Sequence, residues 1–242
     1  SNTSGKASAI TLSNVVLDSN VAANRGGAIY GNGNSTVCTT VNVNDCFFTG
    51  NLATTAGNGA GGAICMVGSQ ADITVSRSTF HNNQAAAFGG AIAASSSSGH
   101  VTLEACTFTD NTAGGSTLGG GAVCSGSLTI SEGITTMTDN TATTSNGGAI
   151  CLQGTTLTVA DNGVLSVSGN TSPNGLGRDI HTAANGCLVL LGTVSGSVNL
   201  SVANAVAGDV VLTGSGASSQ YSSFTFGDGS LLISPDGILV RN

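Results

Sequence analysis

Two short patterns, F-x-x-N and G-G-A-I, alternate through most of this chain at a spacing near thirty residues. The clearest copy is Phe80-His81-Asn82-Asn83, followed by Gly89-Gly90-Ala91-Ile92. The first pattern also reads Leu17-Asp18-Ser19-Asn20, Phe48-Thr49-Gly50-Asn51, Phe108-Thr109-Asp110-Asn111, Met137-Thr138-Asp139-Asn140 and Val167-Ser168-Gly169-Asn170. Successive anchors lie 31, 32, 28, 29 and 30 residues apart. The second pattern also reads Gly26-Gly27-Ala28-Ile29, Gly61-Gly62-Ala63-Ile64, Gly120-Gly121-Ala122-Val123 and Gly147-Gly148-Ala149-Ile150, and it closes on a decayed copy, Gly177-Arg178-Asp179-Ile180. A fixed period of this length marks a repeat architecture, in which one unit cannot bury its apolar face alone and stacking buries it.

Upstream of each anchor, apolar and polar residues alternate, as in Ile10-Thr11-Leu12, Val41-Asn42-Val43, Ile73-Thr74-Val75, Val101-Thr102-Leu103, Leu128-Thr129-Ile130 and Leu157-Thr158-Val159. Period two with β-branched residues means strand. No 3.6-residue stripe competes with it. Each unit therefore holds three short strands, and the identical order of elements makes neighbouring units pair in parallel. The expected fold is all-β: a right-handed parallel β-helix of about thirty residues per coil, its hand taken from the general crossover preference.

In such a solenoid like residues stack on like. Phe48, Phe80, Phe108 and Met137 form one interior column, with Leu17 and Val167 at its ends. Ile64, Ile92, Val123 and Ile150 form another, with Ile29. Asn51, Asn83, Asn111 and Asn140 are expected to turn the chain, since Asn tolerates the left-handed region, and to bond the next coil as a ladder. The paired glycines allow a tight bend before the Ala-Ile strand. The repeats occupy residues 1–180. In residues 181–242 the period fades, and shorter degenerate coils or a cap of the same solenoid are expected, with strands near Cys187–Leu191, Val198–Val202, Asp209–Leu212, Phe224–Phe226, Leu231–Ile233 and Ile238–Val240.

Only 7% of the residues are charged, with five Lys and Arg against twelve Asp and Glu. So few cations leave no patch to displace counterions from a phosphate backbone, so nucleic acid is not an expected partner. No apolar run approaches the length of a membrane-spanning helix, and this segment is not expected to insert into a bilayer. No leader is visible at Ser1, so the sequence reads as a mature or excised piece.

The alternating series resembles the chlamydial polymorphic outer membrane protein repeats, recognised by G-G-A-I and F-x-x-N in tandem. The resemblance runs from about Leu17 to Ile180. Similar repeats occur in surface proteins of algae and other protists. The resemblance implies an extracellular or cell-surface β-helix passenger used in adhesion and antigen display. The low charge and the high content of Ser, Thr and Ala depart from the chlamydial pattern.

The residues that carry chemistry elsewhere are dispersed here. Asp110 and Asp139 share a repeat position, with Asp18 further along the line, and two stacked acids could hold a cation, although Asp beside Asn equally favours a turn. His81, His100 and His181 fall at different repeat positions, so no metal site is expected among them. Cys124 and Cys151 follow the G-G-A-[IV] motif in adjacent coils. Their expected Cα separation, about 5 Å, is within disulfide reach, leaving a bridge or two free thiols open. Cys46 and Cys106 read as small core residues beside the aromatic anchor. Thr11, Thr74, Thr102, Thr129 and Thr158 line one outer wall, and the Thr107/Thr109 and Thr136/Thr138 pairs line another.

No catalytic residue and no cofactor is assigned. The reading is a non-catalytic surface module acting in adhesion or as a structural component. Its expected partners are a host or neighbouring cell-surface protein or glycan, or another solenoid along the axis. The alternatives are a carbohydrate-active β-helix enzyme, a filament subunit and an ice-binding protein.

Overall fold

The structure is a computed structural model. It describes residues 8–33, 39–115, 117–173, 175, 177–183, 187–190, 192–202, 210–215, 220, 223–226, 231–233 and 239–241. The chain is an all-β parallel solenoid of about six turns. Its register follows the repeat. Ser8–Ser13 pairs with Thr39–Asn44, which pairs with Ala71–Ser76, then His100–Glu104. Phe47–Thr49, Thr79–His81 and Thr107–Thr109 stack residue on residue, as do Ile29–Asn32, Ile64–Val67 and Ile92–Ala94. In the next two coils the wall strands merge into continuous runs, Val123–Thr138 and Ile150–Ser168.

The core follows from this register, because an inward residue meets the inward residue of the next coil. Phe48, Phe80 and Phe108 are fully buried and stacked, with ring centroids 4.6 and 4.8 Å apart and planes within 3° and 6° of parallel. These spacings match the distance between strands in a sheet, about 4.8 Å. Ile64, Ile92, Val123 and Ile150 form the facing column, each fully buried.

Two features differ from the sequence reading. Five coils have a further strand of two residues directly after the asparagine. Val21–Ala22, Leu52–Ala53, Gln84–Ala85, Thr112–Ala113 and Thr141–Ala142 make a separate five-stranded parallel sheet. The signal was present: the second residue after the asparagine is alanine in five consecutive repeats, a small residue kept for an inward position. The asparagines also do not make the turn. The left-handed residue is the one before them: Ser19, Gly50, Asn82, Asp110, Asp139 and Gly169, with φ between 52° and 67°. An earlier corner uses Asn14, Asp45, Arg77 and Ala105 in the same way. Left-handed backbone costs an ordinary L-residue roughly 1–2 kcal/mol, which explains why Gly, Asn and Asp dominate the second corner.

The two glycines of each pair have different duties. The first has positive φ, and a Cβ there would meet the backbone of the following Ile–Val position; at Gly89 it would lie 2.3 Å from the Ile92 carbonyl oxygen. The second glycine faces the next coil, and a Cβ on Gly62 would sit 2.2 Å from the Gly90 oxygen. The decay at Gly177-Arg178 now has a reason. Gly177 keeps the left-handed φ of 55°, but the strand above Ile180, Val198–Val202, arrives without a paired-glycine turn, so position 178 takes arginine.

Beyond Thr182, Cys187–Leu190, Thr193–Ser195, Val198–Val202, Val210–Thr213 and Phe224–Phe226 continue the parallel stacking. Leu231–Ile233 and Leu239–Arg241 pair antiparallel with each other, and Leu239–Arg241 also pairs antiparallel with Val210–Thr213.

Candidate functional site

The buried asparagines are the most organised polar feature. Asn51, Asn83, Asn111 and Asn140 are fully buried. Each Oδ1 accepts from the backbone N–H and the Nδ2 of the asparagine one coil earlier; Asn51 donates both to Asn83 Oδ1, at 3.0 and 2.9 Å. Each Nδ2 also donates back to the anchor carbonyl of the preceding coil, as Asn83 does to Phe48 and Asn111 does to Phe80. The ladder starts at Asn20 and runs to Asn170, which donates to Asp179 Oδ1 at 2.9 Å. The other Asp179 oxygen accepts from the Asn199 N–H at 2.8 Å. A carboxylate accepts on both oxygens and donates from neither, so Asp179 closes the ladder.

The cysteines lie in two places. Cys46 and Cys106 are in the main core, each thiol bonding a carbonyl two residues back. Cys65, Cys124 and Cys151 lie on the outer side of the Ile strand, where Ala60, Cys65 and Ala93 form a small satellite core with Val67 and Phe88 packed against it. That cluster was not legible, because the covering loops are not periodic.

The bridge that the spacing left open between Cys124 and Cys151 is not formed. The two are in direct register and both are free thiols. In-register parallel strands hold their Cβ atoms at about the strand spacing, ~4.8 Å, whereas a disulfide needs them ~3.5–4.5 Å apart. The Cys151 thiol and full burial hold the Cys124 thiol well above its usual range. Burial pushes Cys65 up to about 12 and Cys106 up to about 11. Thiolate, the reactive form, is thereby suppressed. Alkylation of the native protein at pH 8, read by peptide mass spectrometry, is expected to leave Cys65, Cys106 and Cys124 unmodified, and full burial shields Cys46 and Cys151 from the reagent. Denatured without reductant, Cys124 and Cys151 should both alkylate; a linked pair would contradict the free thiols.

Charged groups are few and sit at corners. Arg77 pairs with Asp45 at 3.0 Å and Glu104 at 3.3 Å, offsetting its left-handed strain through exposed ion pairs worth little individually. Asp110 and Asp139 are left-handed corner residues in adjacent coils. Asp18 sits one position earlier, before Ser19, and accepts from the Thr49 hydroxyl, so the expected line of three acids is a pair and an outlier. His81 bonds Thr109 at 3.0 Å and lies 3.5 Å from Asp110; His100 lies 2.8 Å from the Ser127 hydroxyl; His181 stacks over Cys151. Among the described residues, no three of His, Cys, Asp and Glu gather as metal ligands.

The outer walls are the remaining surface. Thr74, Thr102, Thr129 and Thr158 stack in register, with Asn42 between Thr11 and Thr74. Thr107 and Thr109 stack on Thr136 and Thr138. Toward the amino-terminal coils this wall turns apolar: Val16 and Phe47, partners in register, are 67% and 52% exposed. A cleft of about 480 Å³ lies beside the first coil, lined by Ala22, Ala23, Asn24, Arg25, Tyr30 and Asn58.

Comparison with known proteins agrees with this geometry. The family model of the Chlamydia polymorphic membrane protein repeat matches residues 14–32, 77–95 and 134–153, each running from the first corner through the ladder asparagine to the Ile–Val strand. The probable autotransporter YfaL of Escherichia coli strain K12 is 30% identical over 225 residues, an alignment covering 87% of this chain. The chain spans 17% of that relative's length. No solved structure matches the chain. Three of the coils, at residues 14–32, 77–95 and 134–153, match the Chlamydia polymorphic membrane protein repeat.

Proposed function

We propose that this chain is a non-catalytic module displayed at the cell surface, where its walls serve adhesion or the surface layer itself. The observation that carries the reading is the division of labour within each coil. The anchors, the Ile–Val column and the asparagines are consumed in stacking, and what is left outward is a flat, weakly charged wall of Thr, Ser and Asn. Such a wall offers hydroxyls and amides in register at about 4.8 Å, suited to a protein or glycan surface and unsuited to concentrating charge on a reacting atom. The repeat type and the autotransporter relative support a surface or outer-membrane setting. The partner is a glycan or protein of a host or neighbouring cell.

The test is a binding assay with the purified chain coupled to fluorescent beads and presented to epithelial cells and a glycan array. Binding above uncoupled beads is expected, and it should fall at least tenfold when Thr107, Thr109, Thr136 and Thr138 are all changed to lysine with circular dichroism unchanged. Equal binding by the lysine variant would remove the Thr wall from the reading.

A further inference from the structure

We infer that the cleft lined by Arg25, Tyr30 and Asn58 binds a sugar that carries a carboxylate, with Arg25 holding the carboxylate and Tyr30 the ring. The site is separate from the threonine wall and does not depend on what that wall binds.

The sequence sets this place apart. One residue precedes each glycine pair and one follows the Ala–Ile or Ala–Val step. In four later coils the first is Ala60, Phe88, Gly119 and Asn146, and the second is Cys65, Ala93, Cys124 and Cys151. All but Asn146 are small or apolar, and Ala60, Cys65 and Ala93 with Phe88 make the satellite core. Arg25 and Tyr30 occupy the same two positions, in register with Ala60 and Cys65. A cation and a phenol therefore stand where the repeat otherwise keeps small or apolar cover.

The fold brings them together. Gly26, with φ of 60°, bends the chain between them, and both line one cleft of about 480 Å³. Burial raises the Cys65 thiol and the charge of Arg25 opposes that rise, so the guanidinium lies close to the register partner of Tyr30. The third wall comes from a difference in loop length. Gly26 lies six residues after Asn20, whereas Gly61 lies ten after Asn51. The longer loop turns where the Asn58 and Gly59 N–H groups donate to the Thr55 carbonyl, and Asn58 reaches the cleft.

The chemistry of the lining names the ligand. Twelve acids face five Lys and Arg in this chain, and exposed Arg77 holds two of them. Arg25 is half-buried, yet among the described residues no carboxylate pairs with it. The Tyr30 hydroxyl and the Asn24 and Asn58 carboxamides also bond nothing among the described residues, and Tyr30 is 46% exposed. The Ala22 and Ala23 carbonyls already accept from Thr54 and Thr55, so the lining offers chiefly side chains. A guanidinium fork matches a carboxylate with two parallel hydrogen bonds. A phenol ring gives a flat amphipathic face, and carboxamides both donate and accept, as sugar hydroxyls require. The volume falls within the ~300–1,000 Å³ of small-molecule sites.

The experiment titrates the full chain, labelled with nitrogen-15, with sodium glucuronate and with N-acetylneuraminate, following amide shifts by NMR. Saturable shifts at Arg25, Tyr30 and Asn58 are expected with at least one of the two, and which one names the sugar. Glucose and sodium acetate should bind at least tenfold more weakly. Arg25→Gln should weaken the acidic sugar at least tenfold with circular dichroism unchanged. If that variant does not fold, the comparison of glucuronate or neuraminate with glucose and acetate on the unmodified chain decides alone. Equal saturation by acetate would reduce the cleft to an adventitious anion site, and equal saturation by glucose would remove the carboxylate; either overturns the inference. So would shifts confined to Thr107 and Thr109, which would place the sugar on the wall instead, or no saturable shift at all.

Discussion

Replacing Gly90 by alanine is expected to prevent formation of a native stack or to lower its denaturation midpoint sharply. The new Cβ would lie 2.0 Å from the Gly121 carbonyl oxygen and 2.7 Å from the Thr112 backbone, and none of these atoms can rotate away. The coils would have to part at this corner, and the cost passes from one position to the pairing of Ile92 with Val123 and of Gln84 with Thr112. An effect above about 4–5 kcal/mol is reserved for mechanisms of this kind. Gly57 is the control. It has φ of 81° but nothing within 4 Å of its added Cβ, so Gly57→Ala should cost only the left-handed penalty of ~1–2 kcal/mol. Guanidinium titration followed by circular dichroism separates the two. Similar midpoints for both variants would mean that coil separation at Gly90 is cheap. Because a solenoid need not unfold in one step, the midpoint of each transition is the quantity to compare.

This contrast also explains what the sequence disclosed. The Phe and Ile columns were legible because stacking repeats the same side chain at the same place, and Phe48, Phe80 and Phe108 advertise it directly. The glycine pairs were legible as a bend, but not that the second glycine answers to the next coil, since that distance exists only after stacking. The asparagine was assigned to the turn on its intrinsic tolerance of left-handed backbone, yet the neighbouring position holds Ser, Gly, Asn, Asp, Asp and Gly, a composition that asks for positive φ more directly. The choice between a Cys124–Cys151 bridge and two free thiols stayed open in the sequence, because spacing fixes how far apart two Cα atoms are, not whether their Cβ atoms converge. Least legible was the sense of the ladder. That Asn20 donates forward to Asn51 while Asp179 receives donors from both sides depends on which amide faces which coil, and no pattern of residue types encodes it.

Asn83→Ala is expected to destabilise the solenoid by about 3–9 kcal/mol, counting ~1–3 kcal/mol for each buried group left without a partner. Three are left. The Asn51 N–H and one Asn51 Nδ2 hydrogen lose their acceptor, and the Phe48 carbonyl loses the Asn83 carboxamide. Asn111 Oδ1 keeps the Asn83 backbone N–H, so the fault is confined to one rung. Asn20→Ala, at the exposed end of the ladder, should cost a small fraction of this.

Asn83→Asp separates lost donors from lost volume. Its one oxygen can still accept from Asn51, but the other faces Phe48 O and Asn111 Oδ1, two acceptors in a dry interior. Burial and these neighbours raise the carboxyl pKa in the folded state above the unfolded value of about 3.9. The folded state then binds more protons, so stability falls as pH rises from about 4 toward the raised value and stays low above it. The variant should unfold at lower denaturant at pH 7 than at pH 4, measured against wild type at each pH. A midpoint difference that ignores pH would mean that water reaches this rung and that the ladder is not the closed hydrogen-bonded column its geometry describes.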